Sequence, residues 1–328
     1  MDKSFRETFD LDTYSAIRDA GKPWLRSAKT GLIAVSGNEA VQFLNGLITN
    51  DIAKLEEGGV MLAAFPNAKG RLIAVVRVSR EGDKFIFATE ESTYKSVLSN
   101  LERFTLAGDF KVEDQTEDRS VVSVLGESAV QLVSEVLGEF ELEEGRSAKI
   151  EFGGAEVYVS NASRPAGVDV WVPSSGRETI IADFVSAGAA DPDALLTEVL
   201  RIESGIPKYG IDMNEETVVP EIGLEELISY QKGCYIGQEV IARIHFRGKV
   251  AKELKGVVFD APEAILQTGD ELISQDDRNA GVVTSKAYSP KLKKHIAMAY
   301  VRNAFIENGT ELRVEQQTCR VVDLPFIE

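Results

Sequence analysis

The sequence predicts an α+β protein: two related α/β units side by side, followed by a small antiparallel β-barrel. Three observations carry this expectation. Strand-like and helix-like segments alternate through the first two thirds of the 328 residues. The stretch VSGNEAVQFL (35–44) returns as VLGESAVQLV (124–133), sharing the valine, the glycine and the Ala-Val-Gln triplet. From about Leu254 the chain changes to short, evenly spaced β-rich runs separated by polar turns.

The run from Gly31 (GLIAVSG) reads as a strand, and Ser36-Gly-Asn-Glu39 as a capping box opening a helix. Ala40, Val41, Leu44, Leu47 and Ile48 share one face of that helix at the 3.6-residue period. Two strands follow, RLIAVVRVS from Arg71 and KFIFAT from Lys84. After them comes a helix with Tyr94, Val97, Leu98, Leu101 and Phe104 on one side. The second copy begins near residue 119, and VDVWVPSSGRETII from Val168 resembles FIFATEESTYKSVL from Phe85. Two such copies fit a pseudo-twofold pair of subdomains. Asp191-Pro192-Asp193 predicts the next helix start, with Asp191 as N-cap, and Gly205 its stop. KGVVF, DELIS, AGVVTSKAYS, HIAMAYVR, TELRVEQ and TCRVVDL supply the barrel strands, with Ala261-Pro262 as a turn marker.

Composition narrows the function classes. The N-terminus is charged and lacks a signal-like apolar run, no segment reaches the roughly 20 apolar residues that span a bilayer, and two cysteines make no disulfide framework. A cytoplasmic protein without membrane attachment is expected. With two histidines and no CxxC pair, a metal held by this chain alone is not expected. The net charge of −17 argues against general nucleic-acid binding. Between Tyr230 and Lys255, however, six basic residues (Lys232, Arg243, Arg247, Lys249, Lys252, Lys255) face two acidic ones, so this window is +4 and the remainder −21. It is either a solvated basic face or a landing site for an anion or partner.

Two groups bear chemistry. Glu203, beside Arg201, sits at the end of the predicted 192–204 helix, where a carboxylate opposes the helix dipole. It either pairs with a surface cation or accepts paired N–H donors from a heterocycle. Cys234 lies in KGCYIGQE (232–239), flanked by Gly233 and Gly237 and two residues from Lys232. A following helix, GQEVIARI, and the lysine would favour a thiolate, whereas a free cysteine is commonly small, buried and inert. Cys319, inside a strand-like run, reads as core, and His245 as structural or part of the basic window.

These residues carry a resemblance. FLNGLITND (43–51), NAKGRLIA (67–74), LRIESGIPKYG (200–210) and KGCYIGQE with ARIHFRG (242–248) resemble the glycine-cleavage T-protein (aminomethyltransferase) superfamily. Within it they resemble the YgfZ-type folate-binding proteins linked to iron–sulfur cluster maintenance. The resemblance implies a folate-binding core of two interleaved subdomains over residues 1–248 and a barrel over 249–328, arranged as a three-domain ring. It implies a site for tetrahydrofolate, or a one-carbon derivative, with Glu203 holding the pterin and Arg201, Tyr209, Lys232 and Arg243 as further binding residues. Cys234 and Lys232 are the implied reacting pair. Where aminomethyltransferases keep an aspartate pair after the glycine turn, this chain has Ala74 and Val75. Neither can handle a proton or stabilise a charge.

Three readings follow. In the first, the chain is a folate-binding accessory factor whose Cys234 serves iron–sulfur client or assembly proteins. In the second, it is a folate-dependent aminomethyl- or methyltransferase acting on an amine or tRNA. In the third, it binds folate without chemistry.

Overall fold

The structure is a computed structural model, and it describes residues 9–103, 108–162, 166–261 and 265–327. Phe104 and Pro262, named above, lie outside these residues, as does the side chain of Arg247. The chain packs as two compact units: Ser15–Asp191 with Glu225–Glu239, and the chain to Tyr14 with Pro192–Leu224 and Val240–Glu328. The segment Pro192–Leu224, read from sequence with the core, thus packs in the unit that holds the barrel.

α1 (Leu11–Arg18) opens the described chain. The first-named unit then runs β1 (Trp24–Arg26), β2 (Thr30–Ser36), α2 (Ala40–Leu47), β3 (Val60–Pro66), β4 (Leu72–Glu81), β5 (Lys84–Glu90) and α3 (Glu91–Glu102). It continues with β6 (Lys111–Asp114), β7 (Arg119–Leu125), α4 (Ala129–Leu137), β8 (Ser147–Phe152), β9 (Ala155–Ala162), β10 (Gly167–Pro173) and α5 (Arg177–Ser186). These strands form two five-stranded sheets, ordered β3-β4-β5-β2-β6 and β8-β9-β10-β7-β1. The orders are the same topology twice, with β2 matching β7, β5 matching β10 and so on. Gly37 and Gly126, the glycines of the repeated motif, even share a backbone setting, with φ of 119° and 116°. The edge strands are exchanged: β1, which precedes the first copy, pairs with β7 of the second, and β6, which precedes the second copy, pairs with β2 of the first. The subdomains are therefore interleaved.

Apolar runs on both strand faces explain why the central strands read as continuous rather than alternating. Ile33 and Val35 of β2, with Phe85 and Phe87 of β5, face helices α2 and α3, while Leu32, Ala34, Ile86 and Trp171 fill the layer between the sheets. That layer also holds a charge cluster. Asp169 of β10 is buried, accepts the Ser123 hydroxyl at 2.5 Å and pairs with Arg77 of β4 in the opposite sheet. Burial, with Arg26 nearby, holds the Arg77 guanidinium down to about 10.

Two predicted caps are replaced. Glu39 makes no capping-box bond; its carboxylate accepts the Asp109 N–H at 2.6 Å and is used to fasten the 108–110 turn. In the second unit the N-cap of α6 (Ala194–Glu203) is Asp193, not Asp191, because its side chain reaches Leu196 N–H at 2.7 Å. Gly205 ends that helix at φ 63° as expected.

Most of α7 (Gln238–Arg247) also belongs to the second unit. β11 (Lys252–Phe259), β12 (Glu271–Ser274), β13 (Asn279–Ser289), β14 (Lys294–Arg302), β15 (Glu311–Val314) and β16 (Gln317–Val322) close a six-stranded antiparallel barrel there. Cys319 is buried inside it, and burial pushes its thiol up to about 12.

Removing one partner of a buried pair strands the other charge, so Asp169→Ala should cost about 3–5 kcal/mol in urea unfolding. The double change Asp169→Leu with Arg77→Leu should recover most of that loss, because neither member of the pair is then left as an unmatched charge.

Candidate functional site

In the first unit, three of the sequence blocks singled out above converge. Lys232 is buried, and its ammonium donates to the carbonyls of Asn45, Ile48 and Asn50 at 2.8, 2.8 and 2.7 Å. Asn45 lies in the last turn of α2, where carbonyls have no helical partner and a cation is favoured. Burial pulls the Lys232 ammonium down to about 8, opposed by the charge of Asp51. All three of its protons are thus committed to FLNGLITND, and none is left for a ligand or for Cys234. The sequence reading of Lys232 as reacting or folate-binding gives way to one in which it positions the loop.

The rest of the loop is fastened equally closely. Ile236 N–H donates to Gly46 at 2.9 Å, and the Tyr235 ring, buried, lies 5.1 Å from the Lys232 nitrogen. Gly237 has φ 82°, and a Cβ there would stand 2.4 Å from the Asn67 carbonyl oxygen and 3.0 Å from the Gly70 Cα. Only glycine permits this approach to the NAKGR turn, which Asn67 closes by accepting the Lys69 and Arg71 N–H groups at 2.8 and 3.2 Å. Between the buried anchors Lys232 and Tyr235, Cys234 is exposed. The alternative of a buried, inert cysteine does not hold for it.

After the NAKGR turn, β4 carries the positions where aminomethyltransferases are expected to keep aspartates. Ala74 is fully buried in the core facing the helices, and Val75, on the opposite strand face, is half-buried. A carboxylate at 74 would be buried among apolar side chains; only position 75 could present one.

The second unit holds the other predicted residues. Arg201 spends all five of its N–H donors internally: on Glu198 at 3.0 and 2.6 Å, on Asp212 at 2.7 Å, on Ser285 at 2.7 Å and on the Ile206 carbonyl. Asp212, buried, also accepts the hydroxyls of Thr284 and Ser285, both at 2.6 Å, so the pair ties α6 and the 206–212 turn to β13. Arg201 is therefore structural, and its predicted place in folate binding is not supported by any remaining donor. Tyr209 is half-buried in that turn.

Glu203 is 0% exposed, which sets aside its pairing with a surface lysine. Its Oε1 accepts the Tyr14 hydroxyl at 2.7 Å and the Ser289 hydroxyl at 2.6 Å. Each hydroxyl in turn accepts a backbone N–H, Tyr14 from Lys291 at 3.0 Å and Ser289 from Leu292 at 3.2 Å. Their protons are thereby committed to the carboxylate. Burial and the Glu203 charge both raise the Tyr14 phenol well above its ordinary range, so it stays a donor. Sequence reasoning missed Tyr14 and Ser289, since a lone tyrosine and a strand-end serine carry no motif.

Of the basic window, Lys255 pairs with Glu253 and Asp323, and Lys252 lies 4.4 Å from the centre of the Tyr300 ring. Arg243 and Lys249 are exposed, with no ion pair among the described residues. Among those residues no cluster of His, Cys, Asp or Glu could hold a metal, and no helix is long and apolar enough to cross a membrane.

Comparison with known proteins agrees with this architecture. The GCVT N-terminal domain family matches residues 27–232, and the glycine cleavage T-protein C-terminal barrel domain matches 252–328. An aminomethyltransferase of Rubrobacter xylanophilus is 28% identical over 90% of this chain and 80% of its own length. The tRNA-modifying protein YgfZ of Escherichia coli is 26% identical over 90% of both chains. The glycine cleavage system aminomethyltransferase T of Bartonella henselae, 20% identical, shares the fold with a TM-score of 0.85 over 97% of this chain and 89% of its own.

Lys232→Met should cost about 2–4 kcal/mol, because three carbonyls lose a charged donor. It should also raise hydrogen exchange at Ile236 N–H beyond the global change. Lys232→Arg should not restore protection, since a planar guanidinium cannot aim three protons at one converging set of oxygens.

Proposed function

Because the chain belongs to the glycine cleavage T-protein family, and reads as a YgfZ-type member of it, we propose that it is a tetrahydrofolate-binding accessory protein with Cys234 as its functional thiol. The observation that carries the reading is the loop itself. Lys232, Tyr235 and Gly237 are fixed by FLNGLITND and NAKGR, and the reactive side chain exposed between them is a cysteine. Rigid support beneath one exposed reactive group is what a thiol that meets a partner needs. The family's missing aspartates, here Ala74 and Val75, leave Cys234 as the best-placed reactive group for chemistry.

For the folate, Glu203 supplies an anionic acceptor away from water, suited to a pterin's amino and ring N–H donors. The Tyr14 hydroxyl now holds that carboxylate and is the donor that a ligand N–H would replace. Folate, when bound, supplies a one-carbon carrier. The clients, by resemblance to the YgfZ type, are iron–sulfur enzymes or their assembly proteins, and the compartment is the cytoplasm. A second reading, a folate-dependent aminomethyltransferase, is favoured by the relatives that bear that name.

Calorimetric titration with tetrahydrofolate separates the steps. Glu203→Gln should weaken binding about ten- to hundredfold, as loss of charge-assisted bonds implies, whereas Cys234→Ala should bind like wild type. Equal affinity of the glutamine variant at an unchanged Tm would remove Glu203 from the site. In cells, Cys234→Ala should lower the activity of iron–sulfur enzymes; full activity there would end the accessory reading. Turnover of an aminomethyl donor by the purified protein would establish the second one.

A further inference from the structure

Arg26 ends β1, the edge strand of its sheet. Leu25, the residue before it, lies in the helix-facing core, so the Arg26 side chain faces the layer between the two sheets. Register sets Arg26 beside Ser123 of β7, and Ser123 beside Asp169 of β10. Ser123 and Arg77 both already serve the Asp169 carboxylate. Arg26 is half-buried and makes no hydrogen bond or ion pair among the described residues. Burial lowers its guanidinium from the ordinary value, opposed by the charge of Glu90, and its own charge helps to lower Arg77. Glu90 is not in contact with it. That residue is the N-cap of α3, where the helix dipole favours a carboxylate without help from Arg26.

We propose that Arg26, backed by the charge of Arg77, binds a small organic monocarboxylate at this edge of the layer between the sheets. Two guanidinium groups and one carboxylate leave the cluster of Arg26, Arg77 and Asp169 at +1, and one further carboxylate brings it to zero. A phosphate dianion would overshoot and leave excess negative charge away from water. The planar fork of a guanidinium also matches a carboxylate with two parallel hydrogen bonds, whereas an ammonium cannot. On β4, Val75 stands two residues before Arg77 and shares its strand face. It is half-buried, so the neighbour of the cations on that strand is an apolar side chain that does not repel an incoming anion. The site lies wholly within the first unit and is independent of the folate and thiol readings.

The test is a thermal-unfolding titration of the full chain with sodium acetate, replacing sodium chloride at a constant ionic strength of about 0.1 M so that screening stays fixed. A saturable rise in Tm is expected, as for a ligand that binds only the folded chain. Arg26→Met keeps the side-chain stem and removes the fork, and should weaken acetate binding about ten- to hundredfold. Arg26→Lys, which leaves a point charge, should fall between the two. Lys95→Met, the loss of an exposed charge on α3, should respond like wild type. Inorganic phosphate and methylammonium should each raise Tm less than acetate does. No saturable rise with acetate, an equal rise in Arg26→Met, or a larger rise with phosphate or methylammonium overturns the proposal. In chloride alone, Arg26→Met should unfold no lower than Lys95→Met, because it removes a cation that has no contact partner. A clearly lower Tm would make Arg26 the structural partner of Glu90 and also overturns it.

Discussion

The three hydrogen bonds from the Lys232 ammonium fix what Cys234 can be. A buried lysine is costly unless its protons are matched, and here the acceptors are carbonyls at and just beyond the end of α2. The lysine therefore does for α2 what a C-cap does, while pinning the loop that carries the thiol. Since Lys232 and Tyr235 both point inward, Gly233 and Cys234 form the outward bend between them. Gly237 completes the constraint, because its backbone lies against the NAKGR turn where no side chain would fit. The same feature that spends Lys232's charge makes Cys234 the accessible group.

Arg201 obeys the same rule in the other unit. Charge and position in sequence suggested a ligand-binding cation, but counting donors gives a different answer: five N–H groups and five contacts, all internal. A buried guanidinium is costly unless so matched, and this one fastens α6 to β13. Glu203, two residues on, inherits its placement from that fastening. The sign of a charge in a motif thus says less about ligand binding than whether any of its hydrogen-bonding capacity remains.

Much of the fold was legible because strand and helix periods differ and because the chain repeats itself. The Ala-Val-Gln repeat located two copies, and the sheets carry the same strand order twice. The exchanged edge strands were not legible: β1 has three residues and β6 four, too short for periodicity, and their partners lie across the subdomains. β3, a run of VMLAAFP, passed unread because apolar runs of that length fit a buried helix as well as a strand. The capping box failed because Glu39 had a better partner at Asp109, and partners distant in sequence cannot be seen locally. At the site, the blocks containing Lys232, Cys234 and Glu203 were legible as motifs. Tyr14 and Ser289, which hold Glu203, were not, since their meaning exists only once α1 and β13 are in place.

Strand geometry also decides what the two positions at the start of β4 could carry. Ala74 points into the helix-facing core and Val75 to the other face of β4. Of an aspartate pair at these positions, only the residue at 75 would lie outside the helix-facing core; a carboxylate at 74 would sit among the buried apolar side chains of that core at a prohibitive desolvation cost. Val75→Asp alone would therefore place one carboxylate outside that core, but not the pair. The turn that precedes β4 is the one against which Gly237 packs, so the start of this strand and the loop that carries Cys234 meet backbone to backbone at Asn67 and Gly70.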